Sequence, residues 1–233
     1  MKALRAAWLA VIGFVFIGTA VAPIEADAQG ASQGAAKGLS QWQEGRHYRR
    51  ISPAVPTNVA PGKVEVVEIF WYGCSHCYTL DPFLERWKKN GKPEHVEFVR
   101  VPVTWNAGAK LHARLYYTLQ ELKQDERLHT KVFDTIFRGG NSLLGRDEAS
   151  TLPVMVAWAK QNGISEKAFI DAWNSMWVNT KLRQADELVR RYRAEGTPFM
   201  AVNGKFSTDV GMAGGVPQML GLINDLAKAE KAR

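Results

Sequence analysis

Cysteine is nearly absent. The 233 residues contain only two, Cys74 and Cys77, too close together to staple distant parts of a fold and too few for a disulfide-rich mini-protein. No second cysteine pair exists, and His47, His95, His112 and His129 are scattered without metal-ligand spacing, so no zinc site is expected. Position 78 is Tyr78 where a c-type haem attachment needs histidine directly after the second cysteine, so that reading fails. No repeat of roughly 20 to 50 residues recurs, which argues against a solenoid. What is present suits a packed globular core, with 46% hydrophobic and 23% charged residues. The net charge of +7 would permit contact with anionic surfaces. A solvated basic face is the ordinary reading, and no nucleic-acid partner is expected.

Residues 1–28 read as an export signal. Lys2 and Arg5 form a positive start, residues 6–22 an apolar stretch broken by Gly13, Gly18 and Thr19, and Ala26-Asp27-Ala28 a small-x-small cleavage pattern. A retained anchor is the competing reading, weakened by the two glycines and by Pro23. Cleavage near Ala28 exports the mature chain, and in an oxidising compartment a close cysteine pair tends to be oxidised unless something keeps reducing it. Residues 29–40, rich in Gly, Ala and Ser, form a flexible leader.

Residues 64–72 (VEVVEIFWY) have the β-branched and aromatic content of a strand buried on both faces. Cys77, Leu80, Leu84 and Trp87 then recur at helical spacing, so a helix starts at or just before Cys74. A second strand follows at residues 96–103, and strand, helix, strand predicts a right-handed crossover between parallel strands. From 106 to 195 helical patterns take over. Leu111, Leu115, Leu119 and Leu122 make one stripe, and Leu128, Val132, Ile136 and Phe137 another. Pro153 is placed in the first turn of a third helix, Ser165-Glu166 opens a fourth, and a fifth stops at Gly196. Strand character returns at 199–202, followed by an Asn203-Gly204 turn, Lys205-Phe206 and a closing helix at 216–228. The expected fold is α/β, with one domain made of residues 41–105 and 196–233 and an all-helical insertion at 106–195.

A Cys-x-x-Cys at a strand-to-helix junction places the first sulfur at the positive end of a helix, where free N–H groups favour a thiolate. The second lies one turn further in and is less exposed. Only the thiolate attacks a disulfide, and a thiol of pKa about 8.5 is only about 3% ionised at pH 7. A depressed Cys74 pKa therefore speeds attack, and by stabilising the reduced protein it makes the disulfide a stronger oxidant. Ser75 and His76 lie between the cysteines, and the imidazole of His76 can favour a neighbouring thiolate. A disulfide closing so short a loop adds little stability, which leaves redox chemistry. Glu68, six residues before Cys74 in the apolar strand, is costly to bury as a carboxylate, and desolvation should raise its pKa.

Phe70-Trp71-Tyr72-Gly73-Cys74-Ser75-His76-Cys77-Tyr78, with Gly196-Thr197-Pro198-Phe199 and Val202-Asn203-Gly204-Lys205-Phe206 downstream, resembles the DsbA family of periplasmic thiol:disulfide oxidoreductases. The resemblance implies a thioredoxin-like fold with a helical insertion and no cofactor. It implies a cis bond before Pro198, with Thr197 pairing with substrate backbone. It also makes Glu68 the buried acid that helps proton transfer at Cys77, and puts Arg100 where the family often has a lysine near that acid. Ser75 stands where the family often has proline, while the histidine is kept. The activity implied is that of a monomeric oxidase which gives its disulfide to reduced, unfolded exported proteins through a mixed disulfide at Cys74. A membrane quinone-linked partner of the DsbB type would reoxidise it. Substrate is expected to lie along an apolar surface near Trp71, His76 and Pro198. A reductase or isomerase of the same fold is the runner-up, and a periplasmic binding or chaperone module with a non-catalytic disulfide the non-enzymatic alternative.

Overall fold

The computed structural model describes residues 39–231, so the export signal and residues 29–38 of the leader lie outside it. Five strands form one sheet: β1 (Arg49–Arg50), β2 (Val64–Phe70), β3 (Val96–Pro102), β4 (Phe199–Val202) and β5 (Phe206–Thr208). Their order is β1-β5-β4-β2-β3. β2 pairs parallel with β3, as the crossover requires, and antiparallel with β4. All seven residues of β2 are buried, because the sheet is covered on both faces. Val64 and Val66 pack with Leu80, Leu84 and Trp87 of α1 (Ser75–Asn90) and with Met219, Leu222 and Ile223 of α8 (Val216–Lys231). Val67, Ile69 and Phe70 join a larger cluster with Leu115, Leu119, Leu128 and Phe133.

That larger cluster belongs to five helices between β3 and β4: α2 (Ala107–Glu121), α3 (Asp125–Phe137), α4 (Glu148–Gln161), α5 (Glu166–Trp173) and α6 (Met176–Tyr192). Both predicted leucine stripes face inward, with Leu115, Leu119, Leu128 and Val132 wholly buried. α1 and α3 lie side by side, joined roughly once per turn. Tyr78 stacks on Phe137 at 4.8 Å and donates its hydroxyl to Asp134 at 3.2 Å. Thr130 donates to Asp81 at 2.6 Å, and Lys88 to Glu126 at 2.6 Å.

Several boundaries differ from the sequence-based expectation. β2 ends at Phe70, not at Tyr72, because the Trp71 carbonyl turns to accept the Cys74 N–H at 2.9 Å. β3 ends at Pro102, not at 103. Pro153 is the sixth residue of α4, not in its first turn. A capping box opens the helix, Asp147 accepting from the Ser150 N–H at 2.8 Å and the Ser150 hydroxyl accepting from the Asp147 N–H at 3.1 Å. α6 ends at Tyr192, where Arg193 takes a left-handed conformation, and not at Gly196. α8 runs on to Lys231. The Asn203-Gly204 turn has φ of 52° and 64°, the hairpin geometry that this dipeptide favours. β5 begins after it at Phe206, one residue later than expected. Two elements escaped the sequence reading, β1 and α7 (Val210–Ala213), both too short to show a period.

Candidate active site

The turn that ends β2 delivers Cys74 to the N-cap of α1. Its sulfur accepts the Cys77 N–H at 3.4 Å, satisfying one of the free donors of the first helical turn. Opposite lies the loop into β4, where the Thr197–Pro198 bond is cis, as the family resemblance implied. When protonated, Cys74 donates its S–H to the Thr197 carbonyl at 3.3 Å. Both cysteines are thiols in this structure. Cys74 is half-buried, whereas Cys77 has no exposed surface.

These surroundings separate the two sulfurs. The Cys74 pKa is lowered to about 5, chiefly by a hydrogen bond from the Cys77 side chain. Burial opposes the shift, and the Thr197 side chain and the backbone N–H groups of Cys77 and His76 add to it. Cys77 moves far upward, first because it is buried, then because its S–H is committed to Cys74, and further because of the Glu68 charge. One sulfur is therefore an anion at neutral pH, and the one beneath it holds its proton.

His76 and Ser75 are both exposed on the first turn of α1. The expectation that the His76 imidazole favours the thiolate is refined, since the backbone N–H of His76 makes the contribution. The ring instead lines a cavity of about 550 Å³ beside the cysteine turn, together with Leu80, Thr197, Pro198, Phe199 and Val210. Trp71 is not part of that lining. Its indole covers the backbone of Gly73, where a Cβ would sit 2.5–2.9 Å from three ring carbons. Gly73→Ala should therefore displace the indole and cost about 1–3 kcal/mol of stability. Denaturant unfolding should show that loss shrinking in a Trp71→Ala background; an equal loss in both backgrounds would mean that the two residues do not compete for space.

Glu68 is buried, and register places it directly opposite Arg100. The Arg100 Nε donates to Glu68 at 2.9 Å, and one terminal nitrogen donates to Asp81 at 3.1 Å and to Glu85 at 2.8 Å. Burial raises the Glu68 pKa to about 7, with Arg100 pulling it down and Asp81 and Glu85 pushing it up. Burial also works against the charge of Arg100, but the three acids more than offset it. Asp81, Glu85 and His129 were missed from sequence as members of this cluster. Asp81 could have been found, because it lies on the buried stripe of α1 among Cys77, Leu80 and Leu84.

Comparison with known proteins agrees with this geometry. The DSBA-like thioredoxin domain matches residues 88–223. The chain is 34% identical over 190 residues to the thiol:disulfide interchange protein DsbA of Pseudomonas syringae pv. tomato, covering 82% of this chain and 85% of that one. It is 34% identical over 223 residues to the DsbA of Azotobacter vinelandii, covering 95% and 97%. The crystal structure of Pseudomonas aeruginosa DsbA matches with a TM-score of 0.75 at 32% identity, covering 82% of this chain and 96% of that one.

Proposed function

The chain belongs to the DsbA family of thioredoxin-fold thiol:disulfide oxidoreductases, and from that premise we propose that Cys74 and Cys77 form its redox centre and oxidise reduced, unfolded exported proteins. A client thiolate attacks the Cys74 sulfur, the Cys74–Cys77 bond breaks, and Cys77 leaves and takes up a proton, for which Glu68 is the nearby acid. The client's second thiolate then attacks the client sulfur of the mixed disulfide and expels Cys74 as a thiolate. Two electrons pass to the protein, the client gains a disulfide, and Cys74 needs no proton above pH 5.

The observation that carries this reading is the placement of Cys74 at the N-cap of α1, where its sulfur accepts the Cys77 N–H at 3.4 Å; that setting favours a stable leaving thiolate, which draws the second step toward the reduced protein. Thr197 supplies backbone for an extended client, and the cavity beside His76 and Pro198 receives its side chains. The site of action is the periplasm, and reoxidation falls to a membrane partner of the DsbB type. Among the described residues no helix is long and apolar enough to cross a membrane.

Equilibration with a glutathione buffer tests the direction of transfer. The expected potential is well above that of thioredoxin, and a value near about −270 mV would make the protein a reductase. The pH dependence of stability gives a second test. A folded pKa below the unfolded one stabilises the reduced form fully above the unfolded value, and that gain is lost as pH falls through about 5. Between pH 5 and 7 the reduced form should therefore gain on the disulfide form by about 1–2 kcal/mol, after discounting for the solvent exposure of Cys74. Parallel unfolding curves for the two forms across this window would contradict it.

A further inference from the structure

Five side chains form an open series of polar contacts that runs beside Phe70, from Glu68 through Arg100, Asp81 and His129 to Tyr72. Glu68 and Tyr72 come from the chain on either side of Phe70, Arg100 from β3, Asp81 from α1 and His129 from α3. Arg100 joins Glu68 to Asp81, as described above. His129 Nε2 faces Asp81 Oδ1 at 3.4 Å without hydrogen-bond alignment and is otherwise unpartnered among the described residues, and His129 Nδ1 lies 2.9 Å from the Tyr72 hydroxyl. The rings of Phe70 and His129 meet edge-on at 5.1 Å. A carboxylate beside Nε2 favours the Nε2–H tautomer, which leaves Nδ1 to accept from the Tyr72 O–H. His129 is buried, and of these five residues it is the one that the helical block contributes.

Glu68, Asp81 and Glu85 all contact the guanidinium of Arg100, and of the three only Glu85 has a second cation, Lys88 at 3.2 Å. Glu68 and Asp81 therefore share one positive charge between them. Asp81 accepts from Arg100 and Thr130 and faces His129 Nε2 at 3.4 Å, whereas of these three only Arg100 reaches Glu68. The groups facing His129 are Asp81 and Glu85 from α1, Arg100 from β3, Tyr72 from the cysteine turn, Tyr116 from α2, and Asp125 and Glu126 from its own helix. Burial, then Arg100, lowers the His129 pKa to about 4, so the ring that faces Asp81 is neutral at working pH.

We propose that His129 is a positioning residue for this acid cluster: by helping to satisfy Asp81 it leaves Arg100 free to hold Glu68, and so decides how firmly Glu68 keeps its proton. The link rests on the reading of Glu68 as the proton source for Cys77, but it can be measured without activity. Without the imidazole, Asp81 draws more of the guanidinium and Glu68 retains its proton to higher pH.

The test is the carboxyl carbon resonance of Glu68 followed against pH by NMR, assigned by its disappearance in Glu68→Gln. His129→Phe should raise the midpoint by about half to one pH unit, and His129→Gln, whose amide can still donate to Asp81, should restore it. A midpoint unmoved by His129→Phe, or moved equally by His129→Gln, overturns the proposal. Should His129→Phe not fold, Tyr72→Phe removes the other contact of the imidazole and is expected to move the midpoint in the same direction by a smaller amount; no movement there also overturns it. If the midpoint moves while the pH profile of disulfide transfer stays fixed, His129 has the proposed role and Glu68 is not the proton source.

Discussion

Replacing Cys74 by serine is expected to lower disulfide transfer to a reduced, unfolded client by roughly three orders of magnitude or more, to the uncatalysed rate. Cys77 cannot take over, because it has no exposed surface and holds its proton at neutral pH. Loss of free thiol from the client, followed in time, checks this, and a residual rate within tenfold of the parent would refute the assignment. Cys77→Ala carries a second expectation. The hydrogen bond from the Cys77 side chain is the largest contribution to the acidity of Cys74. Without it, the pH midpoint for alkylation of Cys74 should rise by about a unit or more toward the ordinary thiol value. A midpoint left near 5 would mean that the helix N-terminus and Thr197 suffice.

Arg100→Met should cost about 3–5 kcal/mol at pH 7, the usual penalty for removing one partner of a buried ion cluster. Glu68 and Asp81 would lose their guanidinium while remaining buried. Glu68 can answer by keeping its proton. Asp81 has no such escape, because its pKa is lowered in the folded protein, where His129, Arg100 and Thr130 outweigh the desolvation that works against it. The penalty should therefore shrink as pH falls through the Asp81 range, and Arg100→Met with Glu68→Gln should recover only part of it. Breaking exposed pairs such as Lys167–Asp171 and Arg190–Asp186 should cost far less, because solvent screens them. Chemical denaturation of the four variants separates these cases; an Arg100→Met loss no larger than that of a surface pair would remove the cluster from any structural role.

The catalytic turn was legible because its signals are local. A β-branched run, a glycine and a helical stripe beginning at Cys74 define a strand-to-helix junction within a few residues. Glu68 stood out as a carboxylate in an apolar run, and burial alone predicted the direction of its shift. The partners of Glu68 were harder to see, since register across β2 and β3 sets Arg100 opposite it and packing of α3 on α1 brings His129 to Asp81. Family resemblance supplied Arg100; no residue pattern supplied His129. The misplaced start of α4 has a similar lesson. A proline is permitted in a first turn, but the reciprocal Asp147–Ser150 hydrogen bonds fix where that turn is.

The repeated links between α1 and α3 bear on motion. Tilting one helix against the other would break a stacked ring pair and three polar contacts together, so α1, with the cysteine turn at its head, should fluctuate as one body with the helical block. The loop at Thr197–Pro198 and the short α7 lie across the cavity from α1 and take no part in those links. Clients of unlike bulk would then be accommodated by give on that far bank, and backbone amides of residues 207–212 should exchange with solvent sooner than those of residues 78–88.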